Sequence, residues 1–138
     1  MTTTFKGFQI VANFRRELES KFQLPVKLTS ISRQVFEIGF DRKCLLYVKA
    51  RSAQPIRWGV TANVITRLKS QKVPWWVVLL YFTHESGYLL TTDDVDYYIK
   101  NVWPLGADGD YKPSEGNYLR RNDPFNSMGS MIKKLKEI

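Results

Sequence analysis

The stretch VFEIGFDRKCLLYVKAR, residues 35–51, decides the fold. Phe36, Ile38 and Phe40 alternate with Val35, Glu37 and Gly39, while Cys44, Leu46, Val48 and Ala50 alternate with Leu45, Tyr47, Lys49 and Arg51. A period of two is the pattern of half-buried strands. Asp41-Arg42-Lys43 is the polar break between them, so the two strands read as a hairpin. A two-residue loop would set Glu37 across from Val48 and mix charge into the apolar face. A three-residue loop instead pairs Phe40 with Cys44, Ile38 with Leu46 and Phe36 with Val48, and sets Glu37 opposite Tyr47 with Lys49 one step along. A one-residue slip would turn every side chain over, so the hydrophobic pattern is taken to decide the register. Directly opposed residues have Cβ atoms roughly 5 Å apart. Glu37, Tyr47 and Lys49 are therefore expected to touch on a polar face that also carries Arg51. Strand chemistry alone makes Glu37 and Lys49 a cross-strand ion pair of small energetic weight.

Around this hairpin the periodicity changes. Phe8, Val11, Phe14, Leu18 and Phe22 recur at helical spacing, which predicts an amphipathic helix over Phe5–Phe22, ending before Pro25 and lying on the apolar hairpin face. Val26–Ile31 alternates like a short strand. Val60, Val64 and Leu68 mark a second helix, preceded by Arg57-Trp58-Gly59, where the indole could stack on a base or plug the end of a core. Trp75–Phe82, WWVVLLYF, is apolar without alternation, which suits a central strand covered on both faces. Tyr88-Leu89-Leu90 follows a His-Glu-Ser-Gly turn. Thr91-Thr92-Asp93-Asp94 then leads into a helix through Ile99, with a Thr cap and Asp in the first turn where the helix dipole favours it. Residues 103–126 form a long polar loop, and residues 127–138 a closing helix with Met128, Met131, Ile132, Leu135 and Ile138 on one side. Asp108, Asp110 and Glu115 in the loop lack the ligand spacing of a calcium loop. Lys112, Arg120 and Arg121 could extend a phosphate-binding surface. The expected architecture is α/β, a three-layer αβα sandwich around a mixed central sheet, in one domain of 138 residues.

Composition narrows the function. The chain carries 21 Lys and Arg against 13 Asp and Glu, net +8. Residues 1–60 hold 11 basic and 4 acidic side chains, so nearly all the surplus lies around the first helix and hairpin. Such a surface attracts a polyanion by counterion release and long-range steering. An acidic protein is the other class of partner it suits. The single cysteine, Cys44, excludes a disulfide framework and a thiolate metal site, and His84 is the only histidine. With no apolar signal segment and no run approaching a membrane span, a cytoplasmic protein that does not enter membranes is expected.

The order helix, strand, hairpin, helix, buried strand, turn and helix, together with Glu37 and Val48-Lys49, resembles the PD-(D/E)XK nuclease superfamily, the restriction-endonuclease-like fold. The resemblance covers residues 5–99, leaving the loop and last helix, 103–138, outside it. It implies Glu37 at the acidic strand position, Lys49 orienting or activating the attacking water, and Glu17 or Glu19 as a first-helix carboxylate. Glu37 and Glu19 would be the metal ligands and Mg2+ the cofactor. Lys43, Arg51, Arg57, Trp58 and Arg67 would contact nucleic acid, DNA in the first instance. Cutting both strands of a duplex would call for a homodimer. The chain departs from the family at Tyr47, which stands where an Asp or Glu belongs, and a neutral phenol is a poor magnesium ligand. Two readings follow: a one-metal endonuclease completed by a first-helix glutamate, or a nuclease-like module that binds or assembles without cutting, of the kind mobile-element or phage-defence machinery uses.

Overall fold

In the computed structural model, residues 6–39, 42–115, 119 and 122–137 are described. Phe5, Phe40, Asp41, Arg120, Arg121 and Ile138, named above, lie outside them. A five-stranded sheet in the order β1-β2-β3-β5-β6 forms the middle layer. Its strands are β1 Val26–Leu28, β2 Val35–Gly39, β3 Lys43–Arg51, β5 Trp75–Tyr81 and β6 Gly87–Leu90. All neighbours are antiparallel except β3 and β5. Those two are joined through helix α2, Ala62–Ser70, the crossover that a parallel pair requires. Helix α1, Gly7–Ser20, precedes the meander, and α3, Thr92–Asn101, and α4, Met128–Glu137, follow the sheet.

Each face of the sheet has its own core. Ile10, Val11, Phe14 and Leu18 of α1 and Met128, Met131, Ile132 and Leu135 of α4 share one with Phe36, Ile38, Cys44, Leu46 and Val48. The other joins Val35, Leu45 and Tyr47 to Ile65 and Leu68 of α2 and to Val95 and Tyr98 of α3. β5 explains its own composition: Trp76, Val78 and Leu80 enter the first core while Trp75, Val77 and Leu79 enter the second. A strand buried on both sides has no polar positions to alternate. Burial of each such side chain contributes about 1.5–3 kcal/mol. The mixed α/β architecture with helices on both sheet faces therefore matches the sequence pattern.

Local signals account for the helix ends. Gln9 Oε1 accepts the Lys6 N–H at 2.9 Å at the start of α1. Beyond its end Gln23 takes a left-handed φ of 54°, Leu24 N–H returns to Leu18 O at 3.0 Å, and Pro25 follows. At α3, Thr91 Oγ1 accepts Asp94 N–H and Asp94 Oδ2 accepts Thr91 N–H, both at 3.0 Å, a reciprocal cap. Asp96 pairs with Lys69 at 2.8 Å and ties α3 to α2. No helix among the described residues is long and apolar enough to cross a membrane.

The structure departs from expectation at three points. Phe8, placed on the buried stripe, is 70% exposed, and Ile10 takes its place in the core. The long loop contains a strand, β7 Asp110–Tyr111, which pairs with β4 Val60–Thr61 in a separate two-stranded sheet. The third is the hairpin register. Ile38 pairs with Cys44, Phe36 with Leu46 and Val35 with Tyr47. The connection still holds three residues but begins one residue earlier, which moves each partner by two. A shift of two keeps every side chain on its face, so the hydrophobic pattern is satisfied equally by both registers.

Cys44 is fully buried in the first core, and loss of solvent pushes its thiol up to about 12. The folded protein is expected to ignore a thiol-reactive disulfide reagent at about pH 8 and to react once it is unfolded in urea. Rapid native labelling would contradict this packing. In the unfolded chain the thiol ionises from its ordinary 9.0, so the stability it supports is intact below that pH and is lost as pH rises toward about 12.

Candidate nucleic-acid interface

The register separates the residues that the hairpin was expected to gather. Glu37 pairs with Leu45, and its carboxylate meets Lys43 at 3.5 Å with both groups in contact with solvent. Lys49 lies four residues farther along β3, roughly 13 Å away at about 3.3 Å per residue. Tyr47, opposite Val35, is fully buried, and its hydroxyl accepts the Thr61 N–H at 3.2 Å. Burial pushes its pKa up. The phenol is thus a packing group that anchors β4 to β3. Of the expected trio only Tyr47 and Lys49 remain neighbours, with the ammonium 6.0 Å from the ring centroid.

Lys49 Nζ donates to Gln34 Oε1 at 3.0 Å. Burial lowers its pKa, and the carboxylate of Asp110 works the other way. Gly59 makes room for that carboxylate, since a β-carbon there would stand 2.8 Å from Asp110 Oδ2. Lys49 is thus a half-buried cation with a neutral amide partner and one acidic neighbour, suited to holding an anionic oxygen.

The carboxylates expected to share Mg2+ with Glu37 face the other way. Glu37 alternates with Phe36 and Ile38, which lie beneath α1, and so projects from the opposite sheet face, where it lines a cleft of about 320 Å³ with Leu45, Gln71 and Val73. Glu17 and Glu19 belong to α1 itself. Glu19 pairs with Arg15 at 3.1 Å, and Glu17 meets His84 at 2.6 Å. With the sheet between them, Glu37 and the first-helix glutamates do not fit one magnesium ion.

The expected nucleic-acid contacts divide similarly. Trp58 is 4% exposed, and its Nε1–H donates to Leu80 O at 2.8 Å, so the indole plugs the core and cannot stack on a base. Trp58→Phe is expected to leave DNA affinity unchanged while costing about 1–3 kcal/mol for the orphaned carbonyl; urea unfolding and fluorescence anisotropy read the two effects. Arg67 donates to Ile31 O at 2.8 Å and Ser30 O at 3.2 Å, which pins the β1–β2 connection to α2. Arg51 Nε holds the turn after β3 through Ala53 O and Pro55 O at 3.0 and 3.2 Å. Arg57 is exposed and makes no ion pair among the described residues.

A further concavity lies away from the face that the sequence singled out. A groove of about 990 Å³ runs between α1 and the β1–β2 edge, with Phe8, Val11, Leu28 and Phe36 as its apolar surface and Arg15, Arg16 and Arg33 around it. Phe8 is 70% and Leu28 58% exposed. Arg15 lies over the Phe36 ring, 5.8 Å from its centroid. Arg16 reaches only Asn13 Oδ1, at 3.5 Å, and neither it nor Arg33 makes an ion pair among the described residues. Glu19 is the one acidic residue of the lining. Gln34 also lines the groove, so Lys49 is one hydrogen bond from it. The clue in the sequence was the basic excess of residues 1–60, which pointed to this region without indicating which arginines stay free. No protein-family model matches the chain, and no curated protein matches it in sequence.

Proposed function

We infer that this protein binds nucleic acid, DNA in the first instance, along the groove between α1 and the β1–β2 edge. The observation that carries this reading is an exposed aromatic ring, Phe8, in an apolar groove surrounded by Arg15, Arg16 and Arg33. Bases stack on aromatic faces while guanidinium groups hold the phosphates. The order α1-β1-β2-β3-β4-α2-β5, in which β4 lies outside the main sheet and β3 is parallel to β5, is in keeping with the resemblance to the PD-(D/E)XK nucleases. On this reading the domain binds without cutting, because the carboxylates needed for a magnesium site are divided between the two sheet faces. A reducing, cytoplasmic setting suits its single buried thiol.

The test is anisotropy of labelled single-stranded and duplex oligonucleotides over a salt series. Affinity should fall linearly with salt on logarithmic axes and be indifferent to magnesium. Absence of binding at low salt overturns the reading and leaves an acidic protein as the partner. Incubation of the protein with plasmid and magnesium should leave the DNA intact. Cleavage abolished by Glu37→Ala and Lys49→Ala would reinstate the hydrolytic reading.

A further inference from the structure

The flank of α1 turned away from the groove carries Glu17, and the turn between β5 and β6 brings His84 and Glu85 against it. His84 Nε2 lies 2.6 Å from Glu17 Oε2 and 3.6 Å from Glu85 Oε1. One ligand atom from each of the three residues falls within 4.8 Å of the others. With bonds of about 2.0–2.1 Å, neighbouring ligands of a tetrahedral ion stand roughly 3.3 Å apart; the His84–Glu85 separation is already close to that, while the His84–Glu17 contact is a hydrogen bond that an entering ion replaces as it displaces the shared proton.

The three side chains differ in exposure. The side chains of Glu17 and His84 are only 20% and 22% exposed, so packing holds two ligands, while Glu85 at 53% opens the third side to solvent. Lys21 approaches Glu17 through Oε1, at 3.7 Å, which leaves Oε2 for the cluster. The turn is held at its base, where Phe82 N–H bonds to Arg51 O at 2.7 Å, and Glu85 N–H donates to Thr83 Oγ1 at 3.3 Å.

We propose that Glu17, His84 and Glu85 form a binding site for a divalent first-row transition ion, with Zn2+ the best match. An imidazole nitrogen favours such an ion over magnesium or calcium, which prefer all-oxygen shells. Two carboxylates offset its charge, and water completes the coordination from the exposed side. The ion ties α1 to the β5–β6 turn across 67 residues of sequence and raises stability by mass action. The site is independent of nucleic-acid binding, which uses the other flank of α1.

Isothermal titration of the metal-free protein with Zn2+, repeated with Co2+, tests this. One ion should bind per chain, the Co2+ form should show visible d–d absorption, and Zn2+ should raise the melting temperature. His84→Ala and Glu85→Gln should each weaken binding at least 100-fold, beyond the 10–100-fold typical of residues that merely support a ligand. Glu85 is surface-exposed, so its variant remains informative should His84→Ala fail to fold. No binding of either ion, or binding lost on Glu37→Gln but retained by His84→Ala and Glu85→Gln, would overturn the proposal.

Discussion

Arg16→Glu combined with Arg33→Glu is expected to weaken DNA binding roughly 100-fold at moderate salt and to lower the salt-dependence slope by about 2. Both side chains line the groove and neither spends its charge on an ion pair among the described residues. Removing a phosphate contact weakens binding to all sequences about equally, and reversing the charge adds repulsion. Both residues are exposed, so stability should change by no more than about 0.5 kcal/mol. The paired measurement is anisotropy across a salt series with urea unfolding of the same preparations. Unchanged affinity and slope would move the interface off this groove. Phe8→Ala complements it: losing one stacking platform should cost about 1–3 kcal/mol of affinity while leaving the salt slope intact.

Gly87→Ala should produce the largest loss of stability, about 3 kcal/mol, corresponding to a fall of about 10 °C in Tm. Gly87 pairs with Leu80 at the start of β6, and a β-carbon there would run into the backbone carbonyl of Leu79. Backbone cannot rotate aside as a flexible side chain can. Gly87 also exchanges two hydrogen bonds with Phe125, at 3.1 and 2.8 Å, which secure the segment leading into α4. Displacing β6 therefore disturbs the sheet edge and the core beneath α4 together. Chemical denaturation followed by circular dichroism measures the loss, and a variant as stable as the parent would contradict this close approach of β6 to β5.

The paired carboxylate and ammonium of the hairpin show how far alternation carries. Period two placed Glu37, Tyr47 and Lys49 on one sheet face, and they share it. It did not place them together, because a two-residue shift leaves the faces intact and moves charged partners by two strand positions. Glu37 consequently answers to Lys43, and Lys49 to Gln34. Phe8 shows the corresponding gap for helices. Helical spacing says which residues share a stripe, whereas the extent of the sheet beneath decides how much of that stripe is covered. β1 is only three residues long, and the end of α1 bearing Phe8 opens onto the groove at that edge.

From sequence alone came the mixed α/β class, the helices flanking the sheet, the buried central strand, a Thr cap with Asp in the first turn of α3, and the basic bias of the first sixty residues. Each rests on local periodicity, local hydrogen bonding or simple charge, all written within a few neighbouring residues. Tertiary structure decided which arginines remain free, why Trp58 is sealed, how β7 meets β4, and that Glu17 meets His84 rather than Glu37. Those outcomes depend on contacts between segments distant in the chain, where the entropy lost in closing the intervening loop is repaid by packing that no short window of sequence contains.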